Sequence, residues 1–188
     1  MAEKTIKTRN ADATKEAILE AARIAFSEKG MDGAGVREIA EAAGCNAALV
    51  NRYFGGKEQL FAAALVGAFD MNQLLELPKE DFAEAMANYM VSKRTECKTF
   101  DPMFLALRSI SNPSAMQLVQ AEIQRHVTDV YADWLDGENC HQRAALIGSF
   151  FAGFYLSRFV MGSKSLSFDH DEVLAPMIAK TLQGYIDG

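Results

Sequence analysis

Residues 36–54 read VREIAEAAGCNAALVNRYF, and this stretch decides the fold. Val36, Ile39, Ala40 and Ala43 fall on one side of a short helix, with Arg37, Glu38 and Glu41 on the other. Gly44 stops that helix, and Asn46 is a good N-cap for a second one, Ala47 to Phe54, which Gly55-Gly56 ends. A helix, a tight turn and a helix at this spacing let the second helix enter a DNA major groove while the first braces it. An ordinary antiparallel helix pair with a glycine turn has the same spacing, so spacing alone leaves both readings open.

Upstream, residues 1–11 read as a mildly basic mobile arm, and Asp12 as the N-cap of a first helix. Ile18, Ala21, Ala22, Ala25 and Phe26 give that helix one apolar face, Gly30 ends it, and residues 31–35 form a loop. Downstream, a fourth helix is expected from about Lys57 to Glu76. Further helices follow at about 80–95, after Pro102, from Pro113 to Leu135, at about 141–161 and from about His170 to Ile186. The four prolines, at 78, 102, 113 and 176, fall at expected helix boundaries or first turns. No convincing strand is present. The expected class is all-α, about nine helices in all. It divides into an arm and helix-turn-helix domain (1–56), a connecting helix (57–76) and a C-terminal bundle (77–188).

Residues 12–61 resemble the DNA-binding region of the TetR family. The carrying segments are KEAILEAARIAFSEKG, VREIAEAAG and LVNRYFGGKEQLF, the last with the aromatic pair Tyr53-Phe54 followed by Lys57. A weaker likeness to one group of TetR-type C-terminal domains runs through FLALRSISNPSAMQLVQ and GFYLSRFVMGSKSLSFDHDEVLAPMIAKTLQGYI. The chain departs from the family pattern at three places. Gly35 stands where Ser or Thr usually caps the second helix, Cys45 replaces the common Val, and Asn51 stands where an aromatic is frequent.

The resemblance implies a DNA-binding transcriptional regulator. It implies a repressor released from a palindromic double-stranded operator by a small apolar inducer. An architectural DNA-binding dimer without inducer is the alternative. Val50 and Phe54 are expected to face the core, leaving Ala47, Ala48, Leu49, Asn51 and Arg52 for the groove beside the cap Asn46. Arg52 can pair with guanine and Asn51 with adenine. Arg37 resembles a family position that reaches a base or phosphate, and Tyr53, Lys57 and Lys15 are phosphate candidates.

The net charge of −6 is unusual for a nucleic-acid binder, but its distribution matters more. Residues 1–60 hold nine basic and nine acidic side chains; residues 61–188 hold ten and sixteen, so the acidity lies in the larger part. Cys45, Cys97 and Cys140 are scattered, with no CxxC pair, which argues against a disulfide framework or zinc. His126, His141 and His170 show no metal-ligand spacing, and no phosphate loop or nucleophile elbow is visible. No cofactor, metal or enzymatic activity is expected. The N-terminus lacks the apolar core of a signal peptide, and residues 144–157 are too short to span a bilayer, so a cytoplasmic protein without membrane contact is expected.

An inducer pocket is expected among Met86, Met90, Phe100, Met103, Phe104, Trp134 and Tyr155, with Arg108 or His126 anchoring a polar end. A homodimer is expected through the last two helices. There Ser149, Gly153 and Ser157 make a strip of small residues, flanked by Phe150 and Phe154, that permits close helix approach.

Overall fold

The structure, a computed structural model, describes residues 2–70, 72–94 and 99–188, with side chains from Ala11 onward. Cys97 lies outside the described residues, as does the end of the helix expected to reach residue 95. No strand occurs among the described residues. None of their helices is long and apolar enough to cross a membrane. By packing, the chain forms two units, one of Met1–Ala68 with Cys97–Glu122 and one of Phe69–Glu96 with Ile123–Gly188. Residues 99–122 thus pack with the N-terminal segment.

In the first unit α1 runs Ala2–Gly33, α2 Val36–Ala42, α3 Ala47–Phe54, α4 Lys57–Leu65, α7 Pro102–Ser109 and α8 Pro113–Ile123. The helix start expected at Asp12 is corrected: residues 2–11 contain neither Gly nor Pro, and the helix begins at Ala2. Ile18, Ala22, Ala25 and Phe26 are buried, as their spacing predicts, and Phe26 meets Phe61 of α4 edge-on at 5.0 Å. Ile39 and Ala40 of α2 and Val50 of α3 complete this core.

Helix α4 is also shorter than expected. It stops at Leu65 because Arg23 donates Nε–H to the Ala64 carbonyl at 3.3 Å and Nη2 to the Val66 carbonyl at 3.1 Å, and Val66 turns extended at ψ 119°. A separate single turn, α5, covers Asn72–Leu75.

Helix α7 is tied to α1 by polar contacts. Asp101 is buried and caps α7, accepting from the amides of Met103 and Phe104 at 2.9 and 3.3 Å. The Asp101 amide donates to Ser27 Oγ at 3.1 Å, and Arg108 Nη1 donates to the Ser27 carbonyl at 2.6 Å. Gly30 lets α7 come this close. Its φ of 69° with ψ of 177° breaks the helix inside α1, and a Cβ there would lie 2.9 Å from the Arg108 carbonyl oxygen.

In the second unit α6 runs Lys79–Ser92, α9 Asp129–Leu135, α10 Cys140–Tyr155 and α11 Asp171–Asp187. Wider π turns occupy Gln124–Thr128 and Leu156–Val160, where regular helix was expected. Pro176 lies inside α11 rather than in its first turn, with its side chain exposed. Phe82, Met86 and Met90 of α6 pack with Tyr131, Leu135, Ile147, Ile178 and Leu182 as one buried core.

Gly30→Ala is expected to lower stability by about 2 kcal/mol, because only glycine adopts this backbone region without strain and the Arg108 carbonyl leaves no room. Urea denaturation reads this as a lower midpoint at unchanged slope. A midpoint equal to the wild type would show that α7 does not hold Gly30 in this conformation.

Candidate nucleic-acid interface

The turn between α2 and α3 is built locally. Gly44 takes φ 66°, its amide donates to the Glu41 carbonyl at 3.0 Å, and the Cys45 amide reaches back to Ala40 at 2.9 Å. Asn46 then caps α3, its Oδ1 accepting from the Ala48 amide at 2.8 Å. Gly35 caps α2 without a side-chain hydrogen bond, as its residue type requires.

Val50 is fully buried and fixes the rotation of α3. At about 100° per residue, positions 48, 51 and 52 then point away from the core. Ala48, Asn51 and Arg52 are exposed, and Ala47, Leu49 and Tyr53 are half-buried beside them. Arg37 is exposed on α2 together with Glu38 and Glu41. Phe54, expected in the core, is only half-buried, and Lys15 Nζ lies over its ring at 5.7 Å. Lys57 is half-buried, and its Nζ donates to the Asp32 carbonyl at 3.2 Å.

Electrostatics leave this face with cations to spend. Lys29 bonds Glu38 directly, and that hydrogen bond holds the Glu38 carboxyl below the usual carboxylate range. Asp32 Oδ1 accepts from Asn112 Nδ2 at 2.7 Å. No ion pair involving Arg37 or Arg52 occurs among the described residues, so both guanidinium groups can approach a polyanion without first breaking one.

Phe100, Met103, Phe104 and Arg108 belong to the first unit, and Met86, Met90, His126, Trp134 and Tyr155 to the second. Met86, Met90 and Tyr155 are fully buried core side chains, and Arg108 is committed to the Ser27 carbonyl and the Phe104 ring, 5.2 Å away. An open cleft in the second unit, about 390 Å³, is lined instead by Asp70, Asn72, Gln73, Leu74, Glu76 and Tyr89. No cluster of metal-ligating side chains occurs among the described residues.

In α10 and the π turn that follows it, the expected interface residues Ser149 and Gly153 are exposed, while Phe150, Phe154 and Ser157 are half-buried. Exposed Leu146 and Val160 extend the same stripe, and Val173 and Met177 of α11 are exposed as well. These four apolar positions were not among the expected interface residues, although their helical spacing in the sequence could have shown them.

Residues 18–64 match the family described as bacterial regulatory proteins, tetR family, and residues 80–186 match the tetracyclin repressor-like C-terminal domain. The chain belongs to the TetR family of DNA-binding transcriptional regulators. It is 30% identical over 125 residues to the HTH-type transcriptional repressor AcnR of Corynebacterium glutamicum, a match covering 61% of this chain and 66% of that protein. It is 37% identical over 60 residues to the HTH-type transcriptional repressor NicS of Pseudomonas putida, covering 32% of this chain and 28% of that one. The fold is similar to that of GusR from Salmonella enterica, with a TM-score of 0.69 at 16% identity over 93% of this chain and 96% of that one.

Asn46→Ala is expected to cost about 1 kcal/mol by leaving the Ala48 amide without its acceptor. Hydrogen exchange checks this locally. The Ala48 amide should exchange faster in the variant while amides of α11 keep their protection; uniform change across the chain would mean that Asn46 does not act as a cap.

Proposed function

We propose that this chain is a dimeric repressor that reads a palindromic operator with α3 and is released by a small molecule held in its C-terminal half. The single observation that carries the reading is the α3 surface. A buried Val50 and a capped start hold Ala48, Asn51 and Arg52 on one exposed face, with no competing ion pair at Arg52 among the described residues. Arg52 supplies a fork for guanine, Asn51 a bidentate partner for adenine, and Ala48 and Leu49 apolar contacts for thymine methyls. Arg37, Tyr53, Lys57 and Lys15 sit around that face as phosphate contacts, Lys57 exchanging the Asp32 carbonyl for a phosphate oxygen. The chain acts as a regulator and not as a catalyst. Its site of action is the cytoplasm, where Cys45 and Cys140 remain free thiols.

The exposed apolar stripe of α10 and α11, with Ser149 and Gly153 allowing close approach, supports dimerisation through these helices. Two-fold symmetry would then set the two copies of α3 on half-sites about 34–36 Å apart, or a multiple of that. By linkage the effector binds the DNA-free form better, and a coupling of about 5–150-fold makes a useful switch.

Selection from random duplexes should enrich an inverted repeat. On that repeat Arg52→Ala should cost about 1–3 kcal/mol and relax preference at one base pair per half-site, whereas Lys57→Ala should weaken all duplexes alike and reduce the salt slope. Equal behaviour of the two variants would contradict the division into base and phosphate contacts. Leu146→Glu combined with Met177→Glu changes two exposed positions and should give monomers in sedimentation; an unchanged dimer would move the interface elsewhere.

A further inference from the structure

The Arg158 side chain is 98% buried by side-chain area, its exposure being 2%. Its Nη2 bonds Asp171 Oδ1 at 2.5 Å, but Nε–H and the Nη1 hydrogens are buried with no acceptor among the described residues. Three aromatic rings surround the guanidinium, Phe154 at 5.5 Å, Phe159 at 5.8 Å and Phe168 at 4.2 Å. Asp171 does not serve Arg158 alone. Its Oδ2 also accepts from Arg94 Nη2 at 3.3 Å, and the Arg94 guanidinium lies over Phe168 at 4.0 Å. Two cations therefore share one carboxylate inside an aromatic setting.

A guanidinium held only for structure is satisfied by acceptors when buried, because unaccepted donors keep their full desolvation penalty. An apolar side chain would fill the same space at no such penalty. What this arrangement lacks is a second anion that accepts from Arg158. Aromatic walls around it favour an anion with a flat or apolar body. The cover is Phe168, which is 44% exposed and sits on the single turn Phe168–His170, so its ring can leave without opening the core.

We propose that Arg158 anchors the acidic group of the effector, an organic carboxylate with an aromatic or other apolar body, and that this body takes the place of the Phe168 ring beside Arg94. The inference rests on the reading of the chain as an effector-released repressor and names the effector's chemical class. It gives the small apolar inducer expected from sequence an acidic group and moves its anchor from Arg108 or His126 to Arg158. The sequence signal was present: Arg158 interrupts an apolar run with Phe154 and Phe159 beside it, and Asp171 follows on the next helix.

The test uses the full chain without DNA. Melting temperature and calorimetry are measured with phenylacetate, 3-phenylpropionate and hexanoate, with their primary amides, and with sodium sulfate at matched ionic strength. The carboxylates should bind at least about tenfold more tightly than their amides, since only the anion can take charge-assisted bonds from Arg158. Arg158→Lys should lose about tenfold of that binding, because a point charge cannot replace the guanidinium donors. Arg94→Gln, at an exposed position, should weaken binding severalfold and keeps the test decisive if Arg158 variants do not fold. Equal binding of acids and amides, absence of carboxylate binding, an effect matched by sulfate, or an unchanged Arg158→Lys would each overturn the proposal. Operator binding by the ligand-free protein is measured in parallel. If it persists without carboxylate binding, this inference alone fails; if it is absent while carboxylates bind, the repressor reading fails.

Discussion

The complete burial of Val50 is the constraint on which the DNA-reading head depends. A helix of only eight residues has little intrinsic stability, so its rotation must be set from outside. Val50 sets it by being fully buried, as Ile18 and Phe26 of α1, Ile39 of α2 and Leu60 and Phe61 of α4 are in the same unit. Once that side chain is inside, helical geometry alone decides that Ala48, Asn51 and Arg52 are outside. The Asn46 cap fixes where the helix begins, and the Gly44 turn fixes its angle to α2. Chemistry at the surface thus follows from packing beneath it.

The remainder of the first unit shows why α1 matters beyond the reading head. One face of α1 packs on α4 through Phe26 and Phe61, and its C-terminal end accepts α7 through Ser27 and Gly30. Arg23 joins these roles by ending α4 at the Ala64 and Val66 carbonyls while its guanidinium lies over Phe100 at 5.5 Å. A change at the end of α7 would therefore be felt at the end of α4 through α1, within one packed unit. This contiguity gives a physical medium for coupling.

Much of this was legible from sequence because it is local. The bounds of α3, the cap at Asn46, the stop at Gly44 and the inward face of α1 all follow from periodicity and from residues with one dominant conformational use. What was not legible depends on contacts between residues far apart in the chain. Ser27 and Asp101 are 74 positions apart, and Arg23 meets Ala64 across 41, so neither the early end of α4 nor the placement of α7 could be read from a window of sequence. Met86 and Met90 have the residue types of a binding site and the spacing of a core, and burial shows them in the core. The π turns at 124–128 and 156–160 leave no pattern that distinguishes them from regular helix. Arg158 shows the opposite case, a charge visible in an apolar run of the sequence and buried in the structure.

The central claim is that the exposed face of α3 is where this protein meets its operator. Amide chemical-shift mapping on titration with a selected inverted-repeat duplex tests it most directly. The account predicts that the large shifts fall on Asn46 to Tyr53, with smaller ones at Arg37 and Lys57, while α10 and α11 stay unchanged. Large shifts confined to the second unit, with Ala48, Asn51 and Arg52 unmoved at saturation, would contradict it.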